Sequence, residues 1–266
     1  PLGVLRRVLQ ASANPGDEMP LYRDIPYRQM VYPDDPQMFI HLVTDTPGER
    51  IAAIFARFST TLQDLGIEVS TGRVVDFRSA AFLRSQFEDY TASLIYPMHL
   101  TDKQVCWPGN HHKKPVALVI NQQTRDLFVP NDYYVLVKRF TAKEERRRVV
   151  AAVFEPSMVN ALVDTSLVGF ENHLNYFHQN GKGLDLMLAR GLAAFLNSTL
   201  VDTYLRQFNG HTQVNAADLR MLRYPTRAQL LALGKRIGPA TFSDHYELDM
   251  MIAREIPMVD TPSELD

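Results

Sequence analysis

The sequence has 266 residues, of which 45% are hydrophobic and 22% are charged, with a formal net charge of −2 at pH 7. This content is typical of a globular protein with one or two cores, and the net charge alone does not indicate a nucleic-acid-binding protein. No run of eighteen apolar residues and no secretion signal are present, so we expect a cytoplasmic protein that does not contact a membrane. The single cysteine, Cys106, excludes an internal disulfide and a cysteine-based zinc cage. We expect Cys106 to pack in a core.

The first part of the chain, residues 1–45, combines an apolar start with a stretch that several prolines interrupt. The run "LGVLRRVLQ" predicts a strand or a helix, and "MFIHLV" (38–43) predicts a strand. The prolines between them favour a linker. Because the first residue is Pro1 rather than methionine, we interpret residues 1–45 as the end of a preceding domain followed by a linker.

The next segment predicts one helix and a series of short strands. "GERIAAIFARFSTTLQDLG" (48–66) has apolar residues at helical spacing and predicts a helix that ends at Gly66. Short apolar runs then predict strands at "IEVS", "RVVDF", "SLIYPM" and "VALVI".

A basic hairpin follows. "DYYVLVKRF" (132–140) and "RVVAAVFEP" (148–156) predict two strands that the seven residues 141–147 connect. Residues 138–148 carry six cations against two acids. The charge alone fits a solvated turn as well as it fits contact with nucleic-acid phosphates, but a hairpin that projects cations away from the core favours phosphates or a DNA groove.

The last part of the chain changes from strands to helices. "LVGFENHLNYFH" predicts strand structure, and the longer stretch "ENHLNYFHQNGKG" is dense in amides and imidazoles, which buried strands seldom carry unless they face a polar partner. From Leu184 the apolar spacing predicts successive helices through "YELDMMIARE". Asn197-Ser198-Thr199 matches a glycosylation sequon, but we interpret Thr199 and Asp202 as a helix-capping pair.

The connection "NGHTQVNAADL" (209–219) carries more hydrogen-bonding groups than a turn needs. We expect Gly210 to end one helix and Asn215 to cap the next. Thr212 and Gln213 are expected to brace the loop against backbone groups, and His211 is the candidate to contact DNA or another domain.

Charge is unevenly distributed along the chain. From Ser243 to the end there are seven acids and one arginine, a net charge of −6, which leaves +4 on the rest. An acidic tail on a basic body indicates that the tail would compete with phosphates for the body.

Motifs typical of enzymes are absent from the sequence. We find no glycine-rich phosphate-binding loop, no HExxH, no GxSxG and no Pro-Pro dipeptide. "PNDYYVLVK" has part of the spacing of a nuclease site, but the second acid before Lys138 is missing. His173 and His178 lack the spacing of a metal site, and His111-His112-Lys113-Lys114 is more typical of an exposed loop.

Several stretches together carry a resemblance to a known family. "GFENHLNYFHQNGKGLDLMLARGLAAFLNSTLVDTYLRQFNGHTQVNAADLRMLRYP" resembles the C-terminal region of adenine-specific DNA methyltransferases of bacterial restriction–modification systems, of the PstI/TaqI-like, gamma-type class. "VSTGRVVDFR" (69–78) resembles the motif near the start of their target-recognition region, and the basic hairpin lies between the two in the expected order. The resemblance covers roughly residues 26 to 240, and "NGHTQVNAADL" is its most specific part.

The family also has parts that this sequence lacks. Its members carry an S-adenosylmethionine site and an Asn-Pro-Pro-aromatic catalytic loop in an N-terminal domain, and neither motif is present. The resemblance therefore implies a target-recognition domain that binds double-stranded DNA, holds no cofactor or metal itself, and works beside a catalytic domain that binds S-adenosylmethionine. Flipping an adenine out of the duplex requires a second domain that clamps the DNA and reads neighbouring bases.

These observations predict an α+β protein, with small mixed sheets that carry the basic hairpin and a helical C-terminal part after them. The predicted divisions are 1–45, the end of the catalytic domain and a linker; 46–182, the target-recognition domain; and 183–266, a helical scaffold with an acidic tail. The residues that we predict to contact DNA are Lys138, Arg139, Lys143, Arg146, Arg147, Arg148, Asn172, His173, Asn175, Lys182, His211 and Gln213.

Two other functions stay open from the sequence. One is a restriction-type endonuclease with a carboxylate site that we do not recognise. The other is a protein-interaction subunit that does not contact DNA.

Overall fold

The computed structural model describes residues 4–10, 21–26, 46–101, 104–108, 114–141, 147–160, 166–208, 213–238 and 245–257. The strands, in chain order, are β1 (Val4–Gln10), β2 (Leu21–Pro26), β3 (Glu68–Thr71), β4 (Leu83–Arg84), β5 (Thr91–Ile95), β6 (Leu100–Thr101), β7 (Gln104–Val105), β8 (Ala117–Val119), β9 (Phe128–Pro130), β10 (Tyr134–Lys138), β11 (Ala151–Phe154), β12 (Leu167–Phe170) and β13 (Leu174–His178).

The α-helices are α1 (Thr46–Phe55), α2 (Asp76–Ser79), α3 (Ser157–Asn160), α4 (Leu186–Leu196), α5 (Thr199–Phe208), α6 (Ala216–Met221), α7 (Arg227–Ile237) and α8 (His245–Glu255). Short 3-10 helices lie at Ala80–Phe82, Pro97–His99 and Arg125–Leu127. The predicted α+β class, with strands first and helices after them, is confirmed.

Strands β1 and β2 form an antiparallel pair with a bulge between Val8 and Gln10. The apolar start of the chain is therefore a strand, one of the two structures that its pattern allowed. The strand predicted at "MFIHLV" (38–43) lies outside the described residues, and the domain divisions stay predictions.

Most of the described strands belong to two mixed sheets. The larger has six strands in the order β3-β13-β10-β11-β7-β6, and the smaller has five in the order β4-β8-β5-β12-β9. The predicted basic hairpin is confirmed, because β10 pairs antiparallel with β11 from Tyr134↔Phe154 to Val137↔Ala151. Strand β13 lies on the other side of β10, so β10 is central.

The six-stranded sheet separates two hydrophobic cores. One face carries Val135 and Phe177, which belong to a core formed mainly with the helices. The other face carries Leu136 and Tyr176, which pack with Phe170 of the five-stranded sheet. The described layers are therefore helices, six-stranded sheet and five-stranded sheet, and alternation along each strand assigns successive side chains to different layers.

The helical layer is held by close packing of α4 on α7. A Cβ atom added to Gly191 would lie 1.9 Å from the carbonyl oxygen of Leu230, and one added to Gly234 would lie 1.8 Å from that of Met187. The two backbones touch where both glycines lack a side chain. At the start of α4, the Asp185 carboxylate accepts hydrogen bonds from two backbone N–H groups, as an N-cap should.

Several local predictions were wrong. The helix predicted over 48–66 ends at Phe55; Thr60 forms a bridge with Tyr224 instead. Gly66 has the predicted left-handed conformation, with φ +65°, but it ends a turn rather than a helix. In "RVVDF" only Val74 pairs as a strand residue, and α2 begins at Asp76. Cys106 is exposed rather than packed in a core.

The capping of α5 also differs from the prediction. The Ser198 hydroxyl accepts the backbone N–H of Val201 at 3.1 Å, whereas the Thr199 hydroxyl donates to Asp249 of α8. The Asp202 carboxylate is turned toward the base of the hairpin loop. The sequon asparagine, Asn197, is buried, and its side-chain amide exchanges hydrogen bonds with the backbone of Ala151 in β11.

Candidate nucleic-acid interface

Five segments meet at one end of the six-stranded sheet: 71–78, 138–141, 147–150, 171–174 and 213–215. We call this region the polar end. Backbone hydrogen bonds join its segments in sequence: Asn172 N–H donates to Val74 O at 2.8 Å, Arg139 N–H to His173 O at 2.8 Å, and Val214 N–H to Arg139 O at 2.7 Å. The polar end is therefore a continuous backbone scaffold that links both sheets to the helical layer.

The opposite end of the same sheet, which we call the turn end, consists of residues 66–68, 132–134 and 178–183. Here β13 leads into a tight turn in which Asn180 and Gly181 both have positive φ, and Gln179 and Lys182 exchange backbone hydrogen bonds. Asn-Gly is the usual pair for such a turn. The full length of β13, roughly 15–20 Å, separates the two ends.

Arg139, predicted to contact DNA, is used inside the scaffold of the polar end. Its guanidinium donates to Asn172 O at 2.9 Å and to the Asn215 side-chain oxygen at 3.5 Å, and it lies over the Phe140 ring. Asn215 directly precedes α6, and its N–H donates to Asp218, which confirms the predicted cap position. Arg139 thus ties the 171–174 turn to the start of α6.

Asn175, also predicted to contact DNA, is completely buried on the helix-facing side of β13. Its amide nitrogen donates to Val214 O at 2.8 Å, and its side-chain oxygen accepts the Thr71 hydroxyl at 3.2 Å. A buried amide must find partners, and the protein's own backbone supplies one of them. The sequence around Asn175 did not show whether its amide would bond to the protein's own backbone or to DNA.

Two of the three consecutive arginines of the hairpin loop turn toward the helices. Arg148 is only 2% exposed; its backbone N–H donates to Asp202, and its guanidinium donates to Thr141 O at 2.9 Å. Arg147 donates to the Thr199 hydroxyl at 2.9 Å and lies 3.9 Å from the Asp202 carboxylate. The Arg147 side chain and the Arg148 backbone therefore connect the base of the loop to α5, whereas the Arg148 guanidinium closes the loop onto Thr141.

Asp202 receives a further cation from its own helix. Arg206 donates to the second Asp202 oxygen at 2.9 Å. Because Thr199 is bonded in turn to Asp249 of α8, one polar network runs from the hairpin to the last helix.

Other predicted residues of the polar end keep side chains near the surface. Lys138 is half-buried and makes no hydrogen bond or ion pair through its ammonium group to another residue that the structure describes. Asn172 and Gln213 are also partly exposed, and Gln213 pairs with Phe140 in an antiparallel bridge. These three residues and His173 lie together at the polar end.

His173 is constrained by contacts on two sides. Its Nδ1 lies 2.6 Å from Glu171 Oε1, and its backbone N–H donates to Glu171 Oε2 at 2.9 Å. The ring packs edge-on against Phe140, with ring centres 4.9 Å apart. The His173 side chain is 50% exposed, whereas that of Glu171 is 2% exposed. Burial raises the pKa of Glu171, and the contact with His173 opposes that rise.

The remaining predicted residues lie elsewhere or outside the described chain. Lys182 is exposed at the turn end, away from the polar end. Lys143, Arg146 and His211 fall outside the described residues. Contact with DNA stays a prediction for every member of the set.

Residues of the polar end that we did not single out from the sequence include Glu171 and the exposed pair Phe77 and Arg78. Phe77 is 78% exposed and its ring is 5.4 Å from the Arg78 guanidinium. Beside them Asp76 accepts the Tyr96 hydroxyl at 2.9 Å and pairs with Lys114 at 2.6 Å. The sequence signal for this pair is an aromatic residue next to an arginine at the end of "VSTGRVVDFR", within which "RVVDF" is predicted as a strand.

Within the described ranges, His, Cys, Asp and Glu side chains form no group of three or more that could hold a metal ion. None of the helices described is both long enough and apolar enough to span a membrane.

Similarity to known proteins gives the arrangement a context. The chain is 46% identical over 243 residues to the type II methyltransferase M.PstI of Providencia stuartii, and 43% identical over 235 residues to the type II methyltransferase M.BsuBI of Bacillus subtilis. The chain is homologous to type II methyltransferases. These matches cover 91% and 88% of this chain but 47% and 46% of the relatives, so the chain spans about half of their length. No protein-family model matches it.

Proposed function

We propose that this chain is the target-recognition part of a site-specific adenine DNA methyltransferase of a restriction–modification system, and that the polar end faces double-stranded DNA. The observation that carries this proposal is the homology to two type II methyltransferases over nine-tenths of the chain but only half of each relative. The other half of such a protein would then bind S-adenosylmethionine and carry out methyl transfer. Division of reading and chemistry between two domains suits an enzyme that must extrude its target base.

The polar end has features that suit this role. It combines a half-buried lysine, an oriented imidazole, amides and an exposed aromatic residue, carried on turns that backbone hydrogen bonds fix in place. Lysine supplies a phosphate contact, whereas histidine and amide groups can read base edges. We place Lys138, Asn172, His173 and Gln213 in this interface, with Lys143, Arg146 and His211 as loop residues expected to join it.

The other predicted residues have different roles in this proposal. Arg139, Arg147, Arg148 and Asn175 hold the segments of the polar end together through the contacts described above. Lys182 lies at the turn end and is not assigned to the interface.

In this proposal S-adenosylmethionine binds to the other half of such a protein, because this sequence lacks the motif of the family's cofactor site. In sheets with parallel strands, such cofactors bind beyond the carboxyl ends of the strands, next to a glycine-rich turn. One parallel pair, β5–β12, leads instead into buried Tyr96 and into the tight turn of Glu171. Titration calorimetry of the chain with S-adenosylmethionine should show no specific heat of binding; a micromolar site would overturn the division of roles.

DNA binding is the direct test. We expect fluorescence anisotropy with labelled duplex to show weak binding that falls steeply with salt between roughly 50 and 200 mM. Deleting residues 258–266, which carry Asp260, Glu264 and Asp266, should strengthen binding because it removes negative charge. The deletion must leave α8 intact, since Leu248 and Ile252 are fully buried. Salt-independent binding would contradict a phosphate-dominated interface.

The same preparation tests the alternatives left open by the sequence. Incubation with plasmid DNA and magnesium should leave the DNA uncut, and cleavage would favour an endonuclease. Absence of binding to any duplex at low salt would favour a protein-interaction subunit.

A further inference from the structure

His173 is held in one orientation by groups on two sides. On one side, the Oε1 atom of Glu171 contacts the ring Nδ1 of His173, and the Oε2 atom accepts the His173 backbone N–H. The Phe140 ring closes the second side. The ring nitrogen left over is Nε2, and no described residue makes a hydrogen bond to it.

The support beneath this imidazole is rigid. A Cβ atom added to Gly72 would lie 2.1 Å from Glu171 O, so the strand after β3 presses directly on the backbone of the turn. The Glu171 N–H donates to Ile95 O, and Leu174 N–H donates to Glu171 O. The carboxyl group that aims His173 is therefore fixed by both sheets.

Burying the Glu171 carboxyl group costs free energy, because the group loses its hydration. One carboxyl oxygen of Glu171 accepts the His173 backbone N–H and so stabilises the turn. The other carboxyl oxygen contacts the His173 imidazole. His178, four positions after Leu174 in the same strand, shows the other arrangement, in which both ring nitrogens bond within the protein. Of these two described rings, that of His173 keeps one nitrogen for an external partner.

We propose that His173 contacts a base edge in the major groove and that Glu171 is its positioning residue, which fixes where Nε2 points and whether it donates or accepts. The inference rests on the proposed function, since it names a specificity-determining residue of the same interface. Bases differ in the positions of their hydrogen-bond donors and acceptors in the major groove, so a side chain that distinguishes them must be held in one orientation. A phosphate requires mainly positive charge, and the buried acid beside His173 would oppose that use.

The test begins with selection of preferred duplexes from a random pool by the full chain, which yields the positions at which it discriminates bases. Each variant is then titrated with the selected duplex, with singly substituted duplexes and with an unrelated duplex. His173→Ala should lose about 5- to 100-fold of discrimination at one position of the target, with little change on the unrelated duplex. Glu171→Gln, which keeps the shape of the side chain, should lose discrimination at that same position. Lys138→Ala serves as the matched phosphate control and should weaken all duplexes alike.

A spectroscopic signature separates positioning from mere support of the fold. Nitrogen NMR of the histidine rings should show that Glu171→Gln changes which ring nitrogen of His173 carries the proton, while the backbone spectrum remains that of a folded protein. In the unsubstituted chain, the selected duplex should shift the Nε2 signal of His173. An unchanged ring signal in Glu171→Gln would overturn the positioning role.

The outcomes also separate this inference from the proposed function. If the unsubstituted chain selects no duplex, both fail. If it selects a sequence and His173→Ala weakens every duplex equally, or changes none, DNA recognition stands and the base contact of His173 is wrong.

Discussion

The two ends of β13 carry histidines in opposite situations. His178, at the turn end, is 5% exposed and bonds through Nε2 to the Ser70 hydroxyl at 2.9 Å and through Nδ1 to the Gly181 N–H at 3.1 Å. His173, at the polar end, is half exposed and has one nitrogen unoccupied by any described residue. The number of internal partners, and not the residue type, separates a histidine that completes the fold from one that can act outside it.

The same distinction applies to the cations of the polar end. Arg148, just before β11, and Lys138, in β10, belong to one hairpin. The arginine is buried and its guanidinium donates to Thr141 O, whereas the lysine ammonium is unpaired among the described residues. Substitutions should therefore divide into those that destabilise the fold and those that affect binding to DNA.

The largest effect is expected from Asp202→Ala. The carboxylate accepts the Arg148 N–H and the Arg206 guanidinium and lies near Arg147, so its loss leaves buried donors unpaired. We expect a loss of about 3–5 kcal/mol in the free energy of unfolding, measured by urea denaturation. The exposed pair Arg84–Glu88 provides the control, because Glu88→Ala should change stability by less than about 1 kcal/mol. Equal effects of the two substitutions would contradict the structural role of Asp202.

A smaller loss is expected from His178→Ala. This change leaves the Gly181 N–H and the Ser70 hydroxyl without their partner and removes buried volume, so we expect about 2–4 kcal/mol of destabilisation. His173→Ala, at the other end of the strand, should cost about 1 kcal/mol or less, since half of the ring is already in water. If the two variants unfolded at the same urea concentration, the proposed difference between the two histidines would be wrong.

The pH dependence of stability should follow His178. Burial lowers the pKa of His178 below its ordinary value of 6.5; Glu68 opposes this shift and Arg73 adds to it. The unfolded chain then binds more protons than the folded one, so the contribution is fully present above pH 6.5 and is lost as the pH falls below it, by at most about 1.4 kcal/mol per pH unit. Stability measured between pH 5 and 8 should show a shallower slope in His178→Gln. An identical slope in that variant would assign the effect to other groups.

The smallest effects are expected from the matched lysines. Lys138→Ala at the polar end should reduce affinity for all duplexes by about 1 kcal/mol and lower the salt slope by about 0.9, the value for one lost phosphate contact. Lys182→Ala removes the same charge at the turn end and should leave both quantities unchanged. Anisotropy titrations at several salt concentrations measure both, and a larger effect from Lys182 would place the DNA at the other end of the sheet.

Much of the local structure could be predicted from the sequence. The period of two in 132–140 and 148–156 predicted the β10–β11 hairpin, and helical spacing after Leu184 predicted the helices that followed. Asn215 was identified as a cap from its place before "AADL". These features depend on residues close together in the chain, which a sequence pattern records directly.

Contacts between distant residues could not be predicted in this way. Arg148 and Asp202 are 54 positions apart, and the basic run around Arg148 has the same composition whether its side chains point to solvent or to α5. Likewise the helix at 46 stops at Phe55 rather than Gly66 because Thr60 is drawn into a bridge with Tyr224. Cys106 was expected in a core because its residue type is usually buried, but the residues around it left it exposed.

The sequence by itself determined the α+β class, the basic hairpin, the helical C-terminal part and the polar stretch that begins beside His173. Only the tertiary structure decided which of those polar side chains form hydrogen bonds within the protein and which keep groups exposed at the surface. The physical reason is that a buried polar group must be paired, and its partner comes from whichever segment the fold brings next to it. Glu171 illustrates this: two residues from His173 in the chain, it became a fixed support only because both sheets enclose it.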